Sequence, residues 1–377
     1  MSRIVFAPDS FKGSLGAADA AAALAAGWRS VRPSDDIRLL PMADGGEGTL
    51  DAIEAAVAGA HRMPVTVHGP DNRRVDASWL LLPGTEGEPG GVEGGTGVVE
   101  LGNTSGIQLL DELAPLDAHT LGFGEAIAAA LDAGVQCLLL AIGSSGSTDG
   151  GAGALVALGA SITDAARRPI RLGNRGLGTA TRVDLSRLRP VPPGGAVVLS
   201  DVTSPLLGPS GAAAVFGPQK GADPAVVEGL ESNLARWARL LERAAAPGRV
   251  DADAAGAGAA GGTGFGMLAW GATIEAGSRA VGEAVGAREA FAGASLVITG
   301  EGRFDDQSRV GKVPSSVLEG AGSVTVALVA GSVAADVDDF ALTIALTDLA
   351  GSATEAMVDP ARWLREAGAQ LARDARI

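Results

Sequence analysis

Apolar and polar positions along the chain fall into short blocks that predict strands and helices in turn. The apolar run Val135–Ile142 predicts a buried strand, and apolar positions on one face from about Pro224 to Ala245 predict the longest helix. Shorter runs predict further strands over residues 3–8, 37–41, 64–68, 75–82, 98–101, 197–201, 296–299, 325–330 and 342–345. Further helices are predicted over 15–31 with Ser14 as N-cap, 49–57, 124–132 and 152–158, and after residue 354. Repeated strand–loop–helix units indicate an α/β fold with parallel sheets.

Length and composition narrow the class of protein. At roughly 150 residues per domain, 377 residues predict two domains, and 46% hydrophobic with 19% charged residues excludes general disorder. No apolar run approaches the ~20 residues of a membrane span, and the first residues do not resemble a signal peptide. The single cysteine, Cys137, excludes a disulfide framework, so we expect a cytoplasmic protein. The Ala/Gly-rich residues 246–264 predict a linker or a closely packed loop.

The net charge disfavours large anionic partners but is compatible with a small phosphorylated ligand. The net charge of −15 disfavours nucleic acid and anionic membranes, which select basic surfaces. Only three of the 29 basic residues are lysines, Lys12, Lys220 and Lys312, and each is next to a glycine in the sequence. Coincidence in a glycine-rich chain is one explanation. The other is that these lysines lie in tight loops as compact charges for phosphate or carboxylate, where single alanine replacements should leave the fold intact.

Loops rich in glycine, hydroxyl groups and carboxylates follow the predicted strands. They span residues 9–14, 43–49, 143–151, 201–206, 216–221 and 299–307. Glycine lets backbone N–H groups approach an anion, while Asp and Glu at strand ends can hold Mg²⁺ or orient a hydroxyl. Together with the three lysines, these loops indicate phosphoryl transfer. A strand-end aspartate such as Asp9 or Asp149 can equally be a helix cap.

Other catalytic classes fit the sequence less well. The histidines His61, His68 and His119 lie outside these loops and tyrosine is absent, which disfavours Ser-His-Asp hydrolysis and predicts a carboxylate as general base. Residues 256–261 match the glycine spacing of a dinucleotide-binding loop, but no predicted strand precedes them. Gly311-Lys312 lacks the remaining residues of a Walker-type phosphate loop.

Taken in order, these loops resemble those of the two-domain bacterial glycerate kinases. The matching motifs are residues 7–12 (APDSFK), 43–49 (ADGGEGT), 201–206 without position 204, 216–222 (FGPQKGA) and 298–303 (ITGEGR) with Asp305, Gln307, Gly311-Lys312 and Pro314; residues 258–267 are also similar. The resemblance implies a flavodoxin-like parallel-sheet domain, residues 1–75 with 275–377, and a second α/β domain, residues 76–274, inserted into it. It also implies phosphorylation of D-glycerate by ATP with Mg²⁺, with 2-phosphoglycerate as the favoured product.

The resemblance and the loop chemistry together select the candidate site residues. The catalytic candidates are Asp9, Lys12, Asp201, Lys220, Glu301 and Lys312. The candidates for binding substrate are Ser10, Asp44, Glu47, Thr203, Arg303 and Asp305. The candidates for holding ATP are Gly143, Ser144, Ser145, Ser147, Thr148, Asp149 and Gly150. Asp149 and Asp201 are the expected Mg²⁺ ligands, and Asp9 or Asp201 would orient the attacking hydroxyl.

Three departures from the family pattern concern hydroxyl and amide groups. They are Ser144, Ser147 and Thr148 in the 143–151 loop, residues 119–125, and Ser204 in place of the usual asparagine before Pro205. They leave open which hydroxy acid is preferred. Two other functions also remain open at this point: an NAD(P)-dependent hydroxy-acid reductase, and a sensor that binds a hydroxy acid without catalysis.

Overall fold

The protein is represented by a computed structural model that describes residues 1–84, 94–246, 248, 250–306, 308–309 and 311–377. Gln307 of the fifth motif lies outside this description. Unit 1 comprises residues 1–44, 48–58 and 276–377, and unit 2 comprises residues 45–47 and 59–275. Residues 59–75 group with unit 2 because residues 61–68 pair with residues 74–82. The domain boundaries at 75/76 and 274/275 stay a sequence prediction.

The strands of the described residues belong to two large sheets and one small antiparallel pair. In chain order they are β1 Arg3–Pro8, β2 Asp36–Leu39, β3 His61–His68, β4 Arg74–Leu82, β5 Thr96–Glu100, β6 Cys137–Ala141, β7 Ser161–Thr163, β8 Arg182–Asp184, β9 Ala196–Leu199, β10 Thr273–Glu275, β11 Leu296–Phe304, β12 Val326–Val333 and β13 Leu342–Ala345.

The helices alternate with these strands over most of the chain. They are α1 Ala17–Val31, α2 Thr49–Ala56, α3 Gly102–Ser105, α4 Leu121–Asp132, α5 Ala152–Ala157, α6 Asn174–Leu177, α7 Ala212–Phe216, α8 Pro224–Ala244, α9 Ala259–Trp270, α10 Gly277–Ala284, α11 Ala287–Phe291, α12 Val313–Ala321, α13 Leu346–Ala350, α14 Ala353–Val358 and α15 Pro360–Asp374. Within the described residues, short 3₁₀ helices span Ile107–Leu109 and Pro218–Lys220. No helix in the described ranges is long and apolar enough to cross a membrane.

Unit 1 is built on a parallel sheet with the strand order β2-β1-β11-β12-β13. Counted within this unit, the order is 2-1-3-4-5, which is that of flavodoxin-like doubly wound folds. Its core includes Ile4, Phe6 and Trp28, all fully buried. The helices α1 and α15 pack closely at Gly27, where a Cβ would lie 1.9 Å from the carbonyl oxygen of Arg365. The predicted α/β class with parallel sheets is confirmed.

Unit 2 is built on a mixed sheet with the strand order β10-β9-β6-β5-β4-β3. The strands from β10 to β5 are parallel, whereas β4 and β3 are antiparallel additions at one edge. Strands β7 and β8 form a separate antiparallel pair. The core of the unit includes Phe123 of α4, Leu140 of β6, Trp237 of α8 and Phe265 of α9, all fully buried.

One local sequence prediction is wrong, and for another the structure supports one of the two alternatives. Ser14 does not cap α1, because the helix begins after Gly16 and the Ser14 hydroxyl donates to the carbonyl of Phe11 at 2.7 Å. For the Ala/Gly-rich residues 246–264, the closely packed loop is the alternative that the structure supports, and α9 begins within them at Ala259. Ala260, Gly261 and Gly262 nevertheless have left-handed backbone angles, so this part of α9 is a tight left-handed turn inside the core of unit 2.

Candidate functional site

In unit 1, two of the predicted acidic residues lie where β1 and β11 run side by side. Pro8 pairs with Gly300, and the backbone N–H of Asp9 donates to the carbonyl of Gly300 at 2.8 Å. Asp9 therefore follows the end of β1 beside Glu301 on β11. In a doubly wound sheet these two strands border the topological switch point, outside which ligands bind. The fold thus brings both carboxylates to the expected ligand position of this unit.

The environment of these carboxylates favours proton binding. Burial raises the pKa of Asp9 well above its usual range, and the charges of Asp44 and Glu301 raise it further, although the Ser10 N–H donates to its Oδ1 at 2.6 Å. Burial also raises the pKa of Glu301 to about 7, against the opposing effects of Ser308 and Lys312. Within the described residues, the buried Oε1 of Glu301 has no hydrogen-bond partner. A carboxylate that titrates near neutrality has the pKa expected of a general base.

The remaining candidate residues of unit 1 differ in their burial and in whether their charges act on Glu301. Asp44, Asp305 and Lys312 are close enough for their charges to act on Glu301, and Lys312 is half-buried at the N-cap of α12. Lys12 and Arg303 are exposed, and the Arg303 Nε lies 3.4 Å from Asp305 Oδ2. The structure therefore brings an acidic group together with one lysine, and leaves Lys12 at the surface of the unit.

In unit 2, most of the predicted ATP-binding loop is buried. Gly143 and Ser144 are half-exposed and Ser145 is 6% exposed, but Ser147, Thr148 and Asp149 are fully buried. The Ser147 hydroxyl contacts that of Ser145 at 3.2 Å, and the Thr148 hydroxyl donates to the carbonyl of Pro115. The loop therefore offers Gly143, Ser144 and the edge of Ser145 to a ligand, whereas its second half belongs to the interior.

Asp149 acts as a buried cap in this structure. Its carboxylate accepts hydrogen bonds from the backbone N–H groups of Thr120, Gly151 and Gly153, at 3.0, 3.1 and 3.0 Å. The Thr120 hydroxyl donates to it as well, at 2.9 Å from Oδ2. Both oxygens are thus used inside unit 2, where they fix the start of α5. The capping alternative for Asp149 has direct support, and its assignment to Mg²⁺ stays a prediction without such support.

Lys220 differs from the other two lysines because it is buried. It is only 2% exposed, and its Nζ donates to the carbonyl of Ser147. Burial lowers the pKa of Lys220 to about 7, although the charge of Asp149 acts in the opposite direction. The glycines beside all three lysines have positive φ angles, +77° at Gly13, +90° at Gly221 and +79° at Gly311, as expected for tight turns. Lys220 thus belongs to the interior and is not confined to a surface loop, so the expectation that its replacement leaves the fold intact stays a prediction with less support than for Lys12 or Lys312.

Three further candidates of unit 2 lie nearer the surface. Asp201 follows β9 and is half-buried, while Thr203 and Glu47 are exposed. Within the described ranges, no group of three His, Cys, Asp or Glu side chains is arranged to hold a metal ion. A Mg²⁺ ion with one or two protein carboxylates and the remaining ligands from phosphates and water needs no such group.

Sequence reasoning missed several buried polar partners of the loop. Thr120, Asn174 and Trp237 each donate to atoms between Thr148 and Gly150. The sequence pattern marks Trp237 only as an apolar position of α8, because periodicity reports burial and gives no information about an indole N–H. An asparagine in a short polar stretch, like Asn174, gives no signal that distinguishes it from a turn residue.

The strand order of unit 1 defines a doubly wound α/β protein, and two carboxylates lie at its switch point. A family model described as "Glycerate kinase family" matches residues 4–376. The chain is 41% identical to glycerate 2-kinase of Escherichia coli K12 over 320 residues, 84% of this chain and 81% of that protein. It is 41% identical to glycerate kinase of Bacillus subtilis 168 over 343 residues, 89% and 86% of the two chains.

A solved structure gives the same result. A protein from Salmonella typhimurium LT2, assigned provisionally as glycerate kinase 2, matches with a TM-score of 0.83 and 37% sequence identity. The match covers 99% of this chain and 97% of that chain. The chain belongs to the glycerate kinase family, and the family resemblance of its loops is confirmed.

Proposed function

We propose that this protein phosphorylates D-glycerate at the expense of ATP, with Mg²⁺, and that 2-phosphoglycerate is the favoured product. Family membership and the names of its relatives support the reaction class. The observation that carries the proposal is the position of Asp9 and Glu301 at the switch point of unit 1. A kinase that acts on an alcohol needs a group there to orient the hydroxyl and accept its proton.

The proposed roles follow from charge and position. Asp9 orients the attacking hydroxyl, and Asp201 is the other candidate for this role. Glu301 lies beside Asp9, and burial raises the pKa of both carboxyl groups, so that each can accept a proton. Lys12 and Lys312 neutralise phosphate oxygens or the glycerate carboxylate as compact charges. The substrate contacts are proposed to come from Ser10, Asp44, Glu47, Thr203, Arg303 and Asp305. Because the transition state of phosphoryl transfer is loose, positioning and charge stabilisation supply most of the catalysis.

ATP is proposed to contact the 143–151 loop at its accessible end. Ser144 adopts a positive φ of 58°, which is uncommon for a residue other than glycine and turns the chain sharply at the half-exposed edge of the loop. Bound Mg²⁺ would neutralise charge on the phosphate oxygens. Of the two expected ligands, Asp201 fits this task better, since the carboxylate of Asp149 already accepts hydrogen bonds from the interior.

The test is acid-dependent release of ADP. The protein is incubated with ATP, Mg²⁺ and a panel of hydroxy acids, and the product is identified as 2- or 3-phosphoglycerate by ³¹P NMR. Glycerate should give the highest kcat/KM, EDTA should abolish the activity, and excess Mg²⁺ should restore it. Absence of ADP release with every acid, or full activity in EDTA, would contradict the proposal.

A further inference from the structure

The buried half of the 143–151 loop is held by donors from separate elements of unit 2. The carbonyl of Ser147 accepts from Nζ of Lys220, which lies in the second 3₁₀ helix. The carbonyl of Thr148 accepts from Nδ2 of Asn174 in α6 at 2.9 Å, and that of Gly150 accepts from Nε1 of Trp237 in α8 at 2.9 Å. Three of the four carbonyls of residues 147–150 are therefore bound by buried side chains.

The left-handed turn of α9 completes this arrangement. The N–H of Gly150 donates to the carbonyl of Gly261 at 3.1 Å. Gly261 has a φ of +67°, and a Cβ at this position would lie 2.1 Å from the carbonyl oxygen of Ser147 and 3.0 Å from Nζ of Lys220. The preceding Ala260 also has a positive φ of 53°, which costs energy in a residue other than glycine. The strained turn thus leaves the space in which Lys220 meets Ser147.

Both the nitrogen and the oxygen of the Asn174 side-chain amide have further hydrogen-bond partners. Its Nδ2 also lies 3.3 Å from the carbonyl of Leu230, and its Oδ1 accepts from Nδ2 of Asn233 at 2.9 Å. Asn174 is fully buried. A reversed amide would place its oxygen against two carbonyl oxygens, so the donor is fixed in its direction toward Thr148.

The held segment is tied to the accessible end of the loop through Ser145. The Ser145 hydroxyl accepts from the N–H of Ser147 and contacts the Ser147 hydroxyl, both at 3.2 Å. Ser145 also reaches the carbonyl of Ala260 at 3.4 Å. A shift of the buried half would therefore move Ser145, and with it the neighbouring Ser144.

We propose that Asn174 and Trp237, together with Lys220, are positioning residues that hold the loop in the one conformation able to bind the phosphates of ATP. The inference rests on the proposed function, because it assigns a purpose to the loop that ATP would contact. If only the held conformation binds, the dissociation constant rises in inverse proportion to the populated fraction of that conformation. Loosening the loop should then weaken ATP binding and leave the binding of glycerate unchanged.

The test compares Trp237→Phe with a matched variant, Trp270→Phe. Both indoles are buried in unit 2, and each donates its N–H to one backbone carbonyl, that of Gly150 or that of Arg189 at 2.6 Å. Losing one such bond shifts the equilibrium toward the loosened loop by about 1 kcal/mol, so KM for ATP should rise in Trp237→Phe by up to about fivefold, with KM for glycerate within about twofold of the original. Trp270→Phe should leave both constants within about twofold while lowering the melting temperature to a similar extent.

Asn233→Ala is the second variant, because it removes the donor to Oδ1 of Asn174 at a half-buried position of α8, where alanine favours the helix. It should raise KM for ATP several-fold, and hydrogen exchange of peptides covering 143–151 should be faster in it and in Trp237→Phe than in Trp270→Phe. Equal KM values for ATP in the Trp237 and Trp270 variants, with Asn233→Ala unchanged, would overturn the inference while the original protein remains active. Absence of turnover in the original protein would overturn the proposed function, and the inference with it.

Discussion

Replacing Lys220 by methionine tests whether its amine belongs to the folded interior. Methionine keeps most of the length and apolar stem of the side chain but removes the donor to the carbonyl of Ser147. A buried carbonyl that loses its partner costs about 1–3 kcal/mol. The variant should therefore unfold at lower urea concentration than the original protein above pH 10.5, where the amine is neutral in both the folded and the unfolded chain.

The pH dependence of the unfolding free energy distinguishes the original protein from Lys220→Met more clearly. Burial lowers the pKa of Lys220 from 10.5 to about 7 in the folded state. The folded protein therefore binds this proton less readily than the unfolded chain, so the contribution of Lys220 to stability is present at high pH and is lost as pH falls toward 7. Between pH 9 and pH 7 this loss amounts to about 2 kcal/mol of unfolding free energy. Lys220→Met lacks the proton and should lack this part of the slope.

The assay is urea unfolding of both proteins across this pH range, followed by tryptophan fluorescence. On going from pH 9 to pH 7, the unfolding free energy of the original protein should fall by about 2 kcal/mol relative to that of Lys220→Met. Lys12→Met, at an exposed lysine, is the control and should keep the pH dependence of the original protein. Parallel curves for the original protein and Lys220→Met would refute the buried, weakly basic amine.

Three further outcomes are expected. Glu301→Gln should lose the decrease of kcat on the acid side of pH 7, because burial raises the pKa of Glu301 to about 7 and its carboxylate accepts protons only above that pH. If the pH dependence of kcat is the same in the variant, Glu301 is not the proton acceptor. Lys12→Ala should lower kcat/KM by about 10²–10³, with poor rescue by arginine, whereas Arg29→Ala in α1 should be nearly neutral in the same assay. Asp149→Asn should lower the melting temperature without changing the Mg²⁺ concentration for half-maximal activity, whereas Asp201→Asn should raise that concentration.

The order of strands and helices was accessible from the sequence because it depends on patterns within short windows. Val135–Ile142 and the apolar face of 224–245 predicted β6 and α8 to within two residues at each end. The paired strands β7 and β8, and the edge strand β10, span only three residues each and carry no periodicity of their own. They exist because of neighbours far away in the sequence, which a window of residues does not contain.

The glycine next to each lysine correctly indicated a tight turn, but it did not indicate whether the lysine is buried. Glycine next to each lysine did indicate a left-handed turn, as the φ angles of Gly13, Gly221 and Gly311 show. The same sequence signal described Lys12, which is exposed, and Lys220, which is 2% exposed. Whether a turn lies at the surface depends on what packs over it, and over Lys220 that is the segment around Gly261.

The glycine-rich loops illustrate why composition suggested phosphate binding more widely than the structure supports it. In 143–151 the same residue types serve two purposes: the first residues are accessible, and those from Ser147 onward satisfy one another and the side chains of Asn174 and Trp237. A backbone without side chains can approach an anion, and it can equally approach another backbone, as Gly261 does. Whether a glycine-rich segment is exposed or buried decides whether its backbone can approach an anion or packs against another backbone. A sequence-based list of phosphate contacts in such a loop is therefore best limited to residues that the fold leaves accessible, and the buried remainder is better tested for its effect on loop position.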